Sequence, residues 1–279
     1  MAKAKQLTKT AIYKACLIDN KMAERIAKVD TDIVMQKRKF DLCIKGVFTS
    51  MLIHGGPGVG KTHLITTSME RHGLEQGVDY VIYRGTTSPI MLYRLLHAMN
   101  RPGAFVVIDD CDAILRDENG INVLKAVMDD ACRIVSWNTK SEIKSLDGAG
   151  IVPKTFEFKG TVVVCTNIDY ERRTTGKMAD HFAAILSRTE QMQIDYKTKD
   201  AQFAYVAHLV VNVDYLEQMP KTAGLTAQQK VDLLKFIMTN RSKYTRIDAR
   251  VPEKLARIIK AEPTDWKMLA ESSFNPDEE

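Results

Sequence analysis

The 279-residue sequence lacks the features that mark membrane and secreted proteins. It contains no run of 18 apolar residues, so we expect no membrane-spanning helix. Its basic amino-terminal stretch, MAKAKQLTKTAIYK, is followed by no apolar segment, which argues against a secretory signal. Internal repeats and long low-complexity stretches are also missing. With 45% apolar and 27% charged residues, the composition is typical of a soluble globular protein.

Neither cysteine spacing nor net charge points to a specific ligand. No two of the five cysteines form a C-x-x-C pair, and Cys111 and Cys165 lie in or just after apolar runs. We therefore expect reduced, mostly buried thiols. The formal charge of +5 is small for this length, so it permits contact with nucleic acid without requiring it.

What the sequence does contain is an alternation of short apolar runs with longer amphipathic segments. The runs are SMLIH (50–54), YVIYR (80–84), AFVVID (104–109), TVVVCT (161–166) and QMQID (191–195). This order predicts an α/β fold with a parallel sheet between two layers of helices. The chain would then consist of a helical or linker segment (1–45), the α/β core (46–197) and a small all-helical domain (198–279).

Residues 133–160 interrupt the simple alternation. RIVSW and TFEF resemble two strands, and the polar stretch between them contains Gly148 and Gly150. The segment is either a hairpin inserted before the fourth core strand or an irregular surface loop, and the sequence favours neither.

Residues 55–62 read GGPGVGKT, which matches the phosphate-binding pattern G-x-x-x-x-G-K-[ST] between a predicted strand and a predicted helix. Glycines let the backbone N–H groups turn toward phosphate oxygens, and the following helix directs its positive end there. Lys61 would reach the β- and γ-phosphates of ATP, and the Thr62 hydroxyl would bind Mg²⁺. The expected nucleotide-binding residues are Gly55, Gly56, Pro57, Gly58, Val59, Gly60, Lys61, Thr62 and His63.

Two acidic residues end the run AFVVIDD and would complete this site. Asp109 would hold Mg²⁺ directly or through water. Asp110 would polarise the attacking water and serve as the catalytic base.

Together these stretches resemble the AAA+ ATPases from about residue 30 onward. GGPGVGKT is similar to that family's Walker A box, FVVIDD to its Walker B box, and TVVVCTN to its sensor 1 strand. HFAAILSRTEQMQID and RIDARVPEKLARII are similar to the segments that carry its two arginines. The resemblance implies an ATP-hydrolysing, Mg²⁺-dependent motor with a helical lid domain, working as a hexamer-like ring or partial ring of identical subunits.

The resemblance also implies roles for residues outside the phosphate loop. Asn167 would orient the water or touch the γ-phosphate. Arg188 would enter a neighbouring subunit's site as an arginine finger, with Arg172 and Arg173 as rivals for that role. Arg250 would reach the γ-phosphate from the lid.

Two residues before the core, Ile33 and Val34, would stack against the adenine. His63 is interpreted as a residue of the helix and not as a catalyst.

One departure from the family concerns the end of the Walker B strand. The family usually has Asp-Glu there, and this sequence has Asp109-Asp110. Because Asp is one methylene shorter, either the backbone compensates or hydrolysis is slow. Asp112 lies beyond the strand end and is a weaker substitute.

Within the family, VVIDDCDAIL, PKTFEFKGTVVVCTN and the terminal DWKMLA most resemble stand-alone ATPases encoded by bacteriophages. This resemblance implies a protein of the host cytoplasm with no membrane partner.

Two segments are candidates to face the channel of a ring. Residues 85–97 carry no aromatic–hydrophobic–glycine triplet of the protein-threading kind. Tyr93 is their only aromatic residue, and its spacing to Leu92 fits a buried helix face as well as a position facing the channel. The polar stretch of 133–160 offers Lys140 and Lys144 to DNA phosphates, but also Glu142 and Asp147.

The sequence therefore leaves the target of the motor open. A loader or remodeller of a DNA-replication or recombination complex is favoured slightly, and a protein-remodelling chaperone is the alternative. A strongly basic stripe or a helix-turn-helix signature, which would support the first, is missing. A nucleotide kinase or monomeric P-loop switch fits the two-arginine, two-domain layout less well.

Overall fold

The computed structural model describes residues 9–16, 18–168 and 177–274. The chain divides into two compact units. The first, the sheet unit, comprises Met35–Asp195, and the second, the helical unit, comprises Met1–Val34 with Tyr196–Glu279. The first of these boundaries lies inside a helix, whereas the sequence analysis placed a boundary at 45/46; its three-part division stays a prediction.

The elements follow the order expected from the sequence. The helices are α1 (Lys9–Ala15), α2 (Asn20–Ile44), α3 (Lys61–Arg71), α4 (Pro89–Ala98), α5 (Glu118–Val127), α6 (Lys177–Leu186), α7 (Lys199–Val211), α8 (Ala227–Thr239), α9 (Arg250–Ala261) and α10 (Trp266–Glu271). The strands are β1 (Ser50–His54), β2 (Tyr80–Arg84), β3 (Phe105–Asp109), β4 (Ile134–Ser136), β5 (Ile143–Lys144), β6 (Ile151–Val152), β7 (Thr155–Glu157), β8 (Thr161–Thr166) and β9 (Glu190–Gln193).

The core of the sheet unit is a five-stranded sheet in the order β2-β3-β8-β1-β9, and every neighbouring pair in it is parallel. The α/β prediction is therefore confirmed. The central strands β3 and β8 are buried along their whole length, which explains their continuous apolar sequences. The register places His54 beside Thr166, and Asp109 beside Cys165. The turns that follow β1, β3 and β8 consequently lie together at the carboxyl-terminal edge of the sheet.

The segment 133–160 forms two nested hairpins. β4 pairs antiparallel with β7, and within the connection β5 pairs antiparallel with β6. Val135 and Phe156 are opposite each other in the outer pair, and both are buried. The hairpin alternative is confirmed, and the irregular surface loop is wrong.

Tyr93 of α4 anchors this hairpin to the core. Its side chain is completely buried, and its hydroxyl donates a hydrogen bond to the carbonyl of Pro153 at 2.9 Å. Its ring packs against Phe156 and Trp137, with centroids 5.1 and 5.9 Å apart. Of the two readings of Tyr93, the buried helix face is the one that the structure shows.

The helical unit confirms the helices predicted after residue 198. Helix α7 is buried along most of its length, and Trp266 of α10 packs on Phe236 of α8 at 5.2 Å. Thr226 begins α8 with a capping box to Gln229. Among the described residues, no helix combines the length and apolarity needed to cross a membrane.

All five cysteines are free thiols, and Cys132 is the exposed one. Burial raises the pKa of Cys16 and of Cys111 to about 11. These thiols are therefore protonated at neutral pH, as expected for structural rather than reactive cysteines.

Candidate functional site

The glycine-rich loop after β1 has the conformation that its sequence predicts. Gly58 and Gly60 have φ values of 71° and 89°, which glycine adopts without strain. At Gly55 a Cβ would lie 1.8 Å from the carbonyl oxygen of Ile194, just beyond β9, so only glycine fits. Gly60 precedes α3 and makes no side-chain cap, which leaves the first N–H groups of the helix available to an anion.

The ammonium of Lys61 lies within the curl of this loop. Its Nζ donates to the carbonyls of Gly55 at 2.8 Å and Gly56 at 3.1 Å, and to Oδ1 of Asn167 at 2.6 Å. Lys61 is buried. The loop therefore holds a positive charge at its centre, where a phosphate would be attracted.

Thr62 and Asp109 meet at the carboxyl-terminal edge of the sheet. The Thr62 hydroxyl donates to Oδ2 of Asp109 at 2.8 Å. Asp109 is only 3% exposed, and its second oxygen, Oδ1, is buried without a hydrogen-bond partner among the described residues. A buried carboxylate oxygen without a partner is costly unless a cation satisfies it. The pair therefore fits the oxygen ligands of a Mg²⁺ ion.

In the part of the chain that the structure describes, no group of three or more His, Cys, Asp or Glu side chains could hold a metal ion. Mg²⁺ at phosphate sites usually needs only one or two protein oxygens, because the phosphates and water supply the rest. The Thr62–Asp109 pair is of this kind.

Arg84, the last residue of β2, is a residue of this site that the sequence motifs did not predict. Its Nε donates to the same oxygen of Asp109, Oδ2, at 2.9 Å. The register explains the contact, since β2 pairs with β3 and brings Arg84 beside Asp109. The only signal in the sequence was a basic residue at the end of a predicted strand.

Asp110 and Asn167 form a second contact at this edge. Nδ2 of Asn167 donates to Oδ1 of Asp110 at 2.7 Å, while its Oδ1 accepts from Lys61. Asp110 is exposed and has a φ of 54°, a left-handed conformation that is uncommon outside glycine. The amide of Asn167 thus connects the loop lysine to the candidate base.

Asp112 has a different partner. Its Oδ1 accepts a hydrogen bond from the hydroxyl of Thr166 at 2.7 Å, and the same hydroxyl accepts from the backbone N–H of Ile168 at 3.0 Å. Thr166 is completely buried. The pair ties the turn after β3 to the last residue of β8, a contact that no motif in the sequence predicts.

Arg188 lies in the turn between α6 and β9, at the opposite edge of the sheet. Its carbonyl accepts a hydrogen bond from Oγ of Ser50, the first residue of β1, at 2.9 Å. The glycine-rich loop follows the last residue of the same strand, about 13 Å away at the rise of a parallel strand. The guanidinium of Arg188 donates to Oδ2 of Asp129 at 3.3 Å and to the carbonyl of Ala184 at 2.9 Å. Arg188 therefore does not join its own loop.

The remaining predicted site residues are spread over both units. Arg250 is exposed at the start of α9 in the helical unit. Ile33 and Val34 lie in α2, and Val34 is 44% exposed. His63 is an exposed residue in the first turn of α3. Their roles stay predictions.

The rival arginines Arg172 and Arg173 lie outside the described residues.

No protein-family model matches the sequence. A protein of Enterobacteria phage T4, described as an uncharacterized 36.7 kDa protein in the nrdC-mobD intergenic region, is 26% identical over 230 residues. The matched region covers 81% of this chain and 68% of the phage protein. The chain is therefore similar to a phage-encoded protein, and this similarity indicates no activity.

Two solved structures of Thermotoga maritima RuvB are similar in outline. One, of a variant with an arginine replaced by alanine, has a TM-score of 0.48 at 12% identity, covering 85% of this chain and 67% of that chain. The other, the RuvB Holliday junction branch migration motor, has a TM-score of 0.40 at 13% identity, covering 86% and 70%.

We expect Gly55→Ala to destabilise the sheet unit by about 2 kcal/mol or more, because a new Cβ would overlap a backbone oxygen. Urea unfolding followed by Trp137 fluorescence, in a Trp266→Phe background, measures this. Gly150→Ala is the matched control, since its Cβ would lie 3.5 Å from the nearest atom, an ordinary contact. Equal stability of the two variants would show that the approach of Ile194 to the loop does not restrict residue 55.

Proposed function

We propose that this chain is an AAA+ type ATPase that binds ATP with Mg²⁺ at the loop 55–62 and hydrolyses it. The observation that carries the proposal is the hydrogen bond of 2.8 Å between Thr62 and Asp109. The second carboxylate oxygen of Asp109 is buried and has no partner among the described residues. The loop beside it holds the ammonium of Lys61. The oxygen without a partner favours a cation, and a loop that holds a lysine ammonium favours an anion. A metal–triphosphate supplies both.

The chain's own groups would bind the triphosphate as follows. The loop N–H groups and the first turn of α3 would surround the β- and γ-phosphates, and Lys61 would exchange its carbonyl acceptors for phosphate oxygens. Thr62 and Asp109 would hold Mg²⁺, which neutralises charge on the phosphates when bound. Ile33, Val34 and Arg250 remain candidates for the adenine and the γ-phosphate.

Asp110 is the proposed base for the attacking water. Its backbone has a left-handed conformation, and its Oδ1 accepts a hydrogen bond from Asn167 at 2.7 Å. This supports the idea that the backbone compensates for the missing methylene. Asn167, which contacts both Asp110 and Lys61, would keep the carboxylate in register with the phosphate end.

Asp110→Asn should bind ATP as tightly as wild type but lose most turnover, because an amide cannot accept the water's proton. Calorimetry measures ATP binding, and phosphate release measures turnover. Lys61→Ala is the comparison that should lose binding itself, since the charge on the β- and γ-phosphates would be uncompensated. Normal turnover by Asp110→Asn would exclude it as the base, and unchanged ATP affinity of Lys61→Ala would exclude the loop as the site.

We further propose that the active form is a ring or partial ring of identical subunits. Support comes from Arg188, which lies at the edge of the sheet opposite the loop and whose guanidinium donates to Asp129 and to the carbonyl of Ala184. From that place it could stabilise a transferring phosphoryl group only in a neighbouring subunit.

Arg188→Ala should then bind ATP normally and lose most turnover, since an arginine finger contributes roughly 10³–10⁵ in rate. Mixing Arg188→Ala with Lys61→Ala subunits should restore part of the activity, because mixed interfaces join an intact loop to an intact arginine. Phosphate release is measured for each variant and for the mixture. No rescue, together with constant specific activity down to concentrations at which light scattering shows monomers, would contradict the shared site.

A nucleic-acid-associated complex is the proposed target, with a protein-remodelling role as the alternative. Tyr93, the only aromatic residue of 85–97, is fully buried, so this segment offers no aromatic side chain to a threaded polypeptide. On the hairpin, Lys140, Lys144 and also Glu142 are exposed, while Asp147 accepts hydrogen bonds from Ser145 and the N–H of Ala149.

DNA should therefore stimulate ATP turnover. Steady-state phosphate release is compared with single-stranded DNA, duplex DNA and no effector, at low and moderate salt, because phosphate contacts weaken as salt rises. Lys140→Ala with Lys144→Ala should reduce the stimulation without changing basal turnover. Equal rates with and without both DNA forms would favour the protein-remodelling alternative.

A further inference from the structure

Arg84 shares the carboxylate that the proposed cation would use. Its Nε and the Thr62 hydroxyl both donate to Oδ2 of Asp109, at 2.9 and 2.8 Å. Oδ1 of the same carboxylate is buried and accepts no hydrogen bond from the described residues. One carboxylate therefore receives a full positive charge on one oxygen and leaves its other oxygen for a second cation.

The two partners of this ion pair differ widely in exposure to solvent. The Asp109 side chain is 5% exposed, whereas the Arg84 side chain is 60% exposed. Arg84 makes no other hydrogen bond or ion pair with the residues that the structure describes. Breaking this contact costs the arginine little, since its guanidinium is already largely hydrated and exposed ion pairs contribute little. The carboxylate, by contrast, must keep a cationic or hydrogen-bonding partner.

A divalent cation on Asp109 would lie within a few ångströms of the Arg84 guanidinium, whichever carboxylate oxygen it used. Like charges at such distances repel strongly, and most strongly where burial limits screening by water. Both cations are therefore unfavourable together, even if they do not contact the same oxygen.

We propose that Arg84 competes with Mg²⁺ for Asp109 and acts as the carboxylate's counter-ion until metal and nucleotide arrive. The proposal rests on the proposed Mg²⁺–ATP site and adds its regulation: the chain's own arginine lowers the affinity of the site for the metal. Arg84 is thus a residue that tunes the cation site, and not one that contacts the reacting atoms.

The test measures metal binding rather than turnover. Mn²⁺, whose free form is counted by electron paramagnetic resonance, is titrated into protein saturated with ADP. Arg84→Met, which keeps the length of the side chain and removes its charge, should bind Mn²⁺ about tenfold more tightly than wild type. Arg84→Lys should stay near the wild-type value, because the charge remains.

Arg101→Met is the matched control. It removes the same charge, but Arg101 lies in the turn before β3, at the amino-terminal edge of the sheet, with Asp79 at 3.7 Å. Its Mn²⁺ affinity should equal that of wild type. An equal or lower affinity of Arg84→Met would overturn the proposed competition. Equal Mn²⁺ binding by wild type and Asp109→Asn would instead show that the cation site itself is wrongly placed.

A measurement on the unaltered protein covers the case in which Arg84→Met fails to fold. The Nε–H resonance of Arg84, assigned by its loss in Arg84→Lys, is followed by nitrogen-15 NMR in ADP-saturated protein as Mg²⁺ is added. It should move toward the position and solvent-exchange rate of a free arginine, while that of Arg101 stays. A resonance unchanged at saturating Mg²⁺ would show that the ion pair persists and that no competition exists.

Discussion

The carboxylate of Asp109 is the constraint on which the rest of the site depends. It is a charge at the end of a buried strand, so the fold must supply partners for it. Thr62 supplies a hydroxyl from the first turn of α3, and Arg84 supplies a guanidinium from the end of β2. These contacts hold the start of α3 at the carboxyl-terminal edge of the sheet and leave Oδ1 of Asp109 without a hydrogen-bond partner among the described residues.

The parallel sheet makes this meeting of residues possible. Because β1, β3 and β8 run in the same direction, the glycine-rich loop, the acidic pair and Asn167 all leave the sheet at one edge. Lys61, at the end of the glycine-rich loop, donates a hydrogen bond to Asn167 in the turn after β8. Asn167 in turn donates to Asp110 in the turn after β3. The carboxylates of Asp109 and Asp110 and the ammonium of Lys61 thus lie at the same edge of the sheet.

Sequence predicted the features that local chemistry determines. The loop 55–62 could be predicted because its glycines and its lysine act within eight consecutive residues. The five core strands could be predicted from their apolar runs. Arg84 and the Thr166–Asp112 hydrogen bond were missed because they depend on which strands are neighbours. Side chains at strand ends do not encode that order. The inner β5–β6 pair was missed because two-residue strands leave no periodic pattern.

The sheet also separates two kinds of positive charge. Arg84 is beside Asp109 in the same chain, so it can respond to whatever binds there. Arg188 is at the other end of β1, and a strand of five residues has no bend by which to bring it to the loop. Its carbonyl on Ser50 and its guanidinium on Asp129 hold it at that edge. In the proposed ring, a subunit would therefore tune its cation site with its own arginine and complete the site of its neighbour with another. Assembly and metal binding would then be controlled by different arginines, because residues at opposite ends of one strand are too far apart to contact the same phosphate.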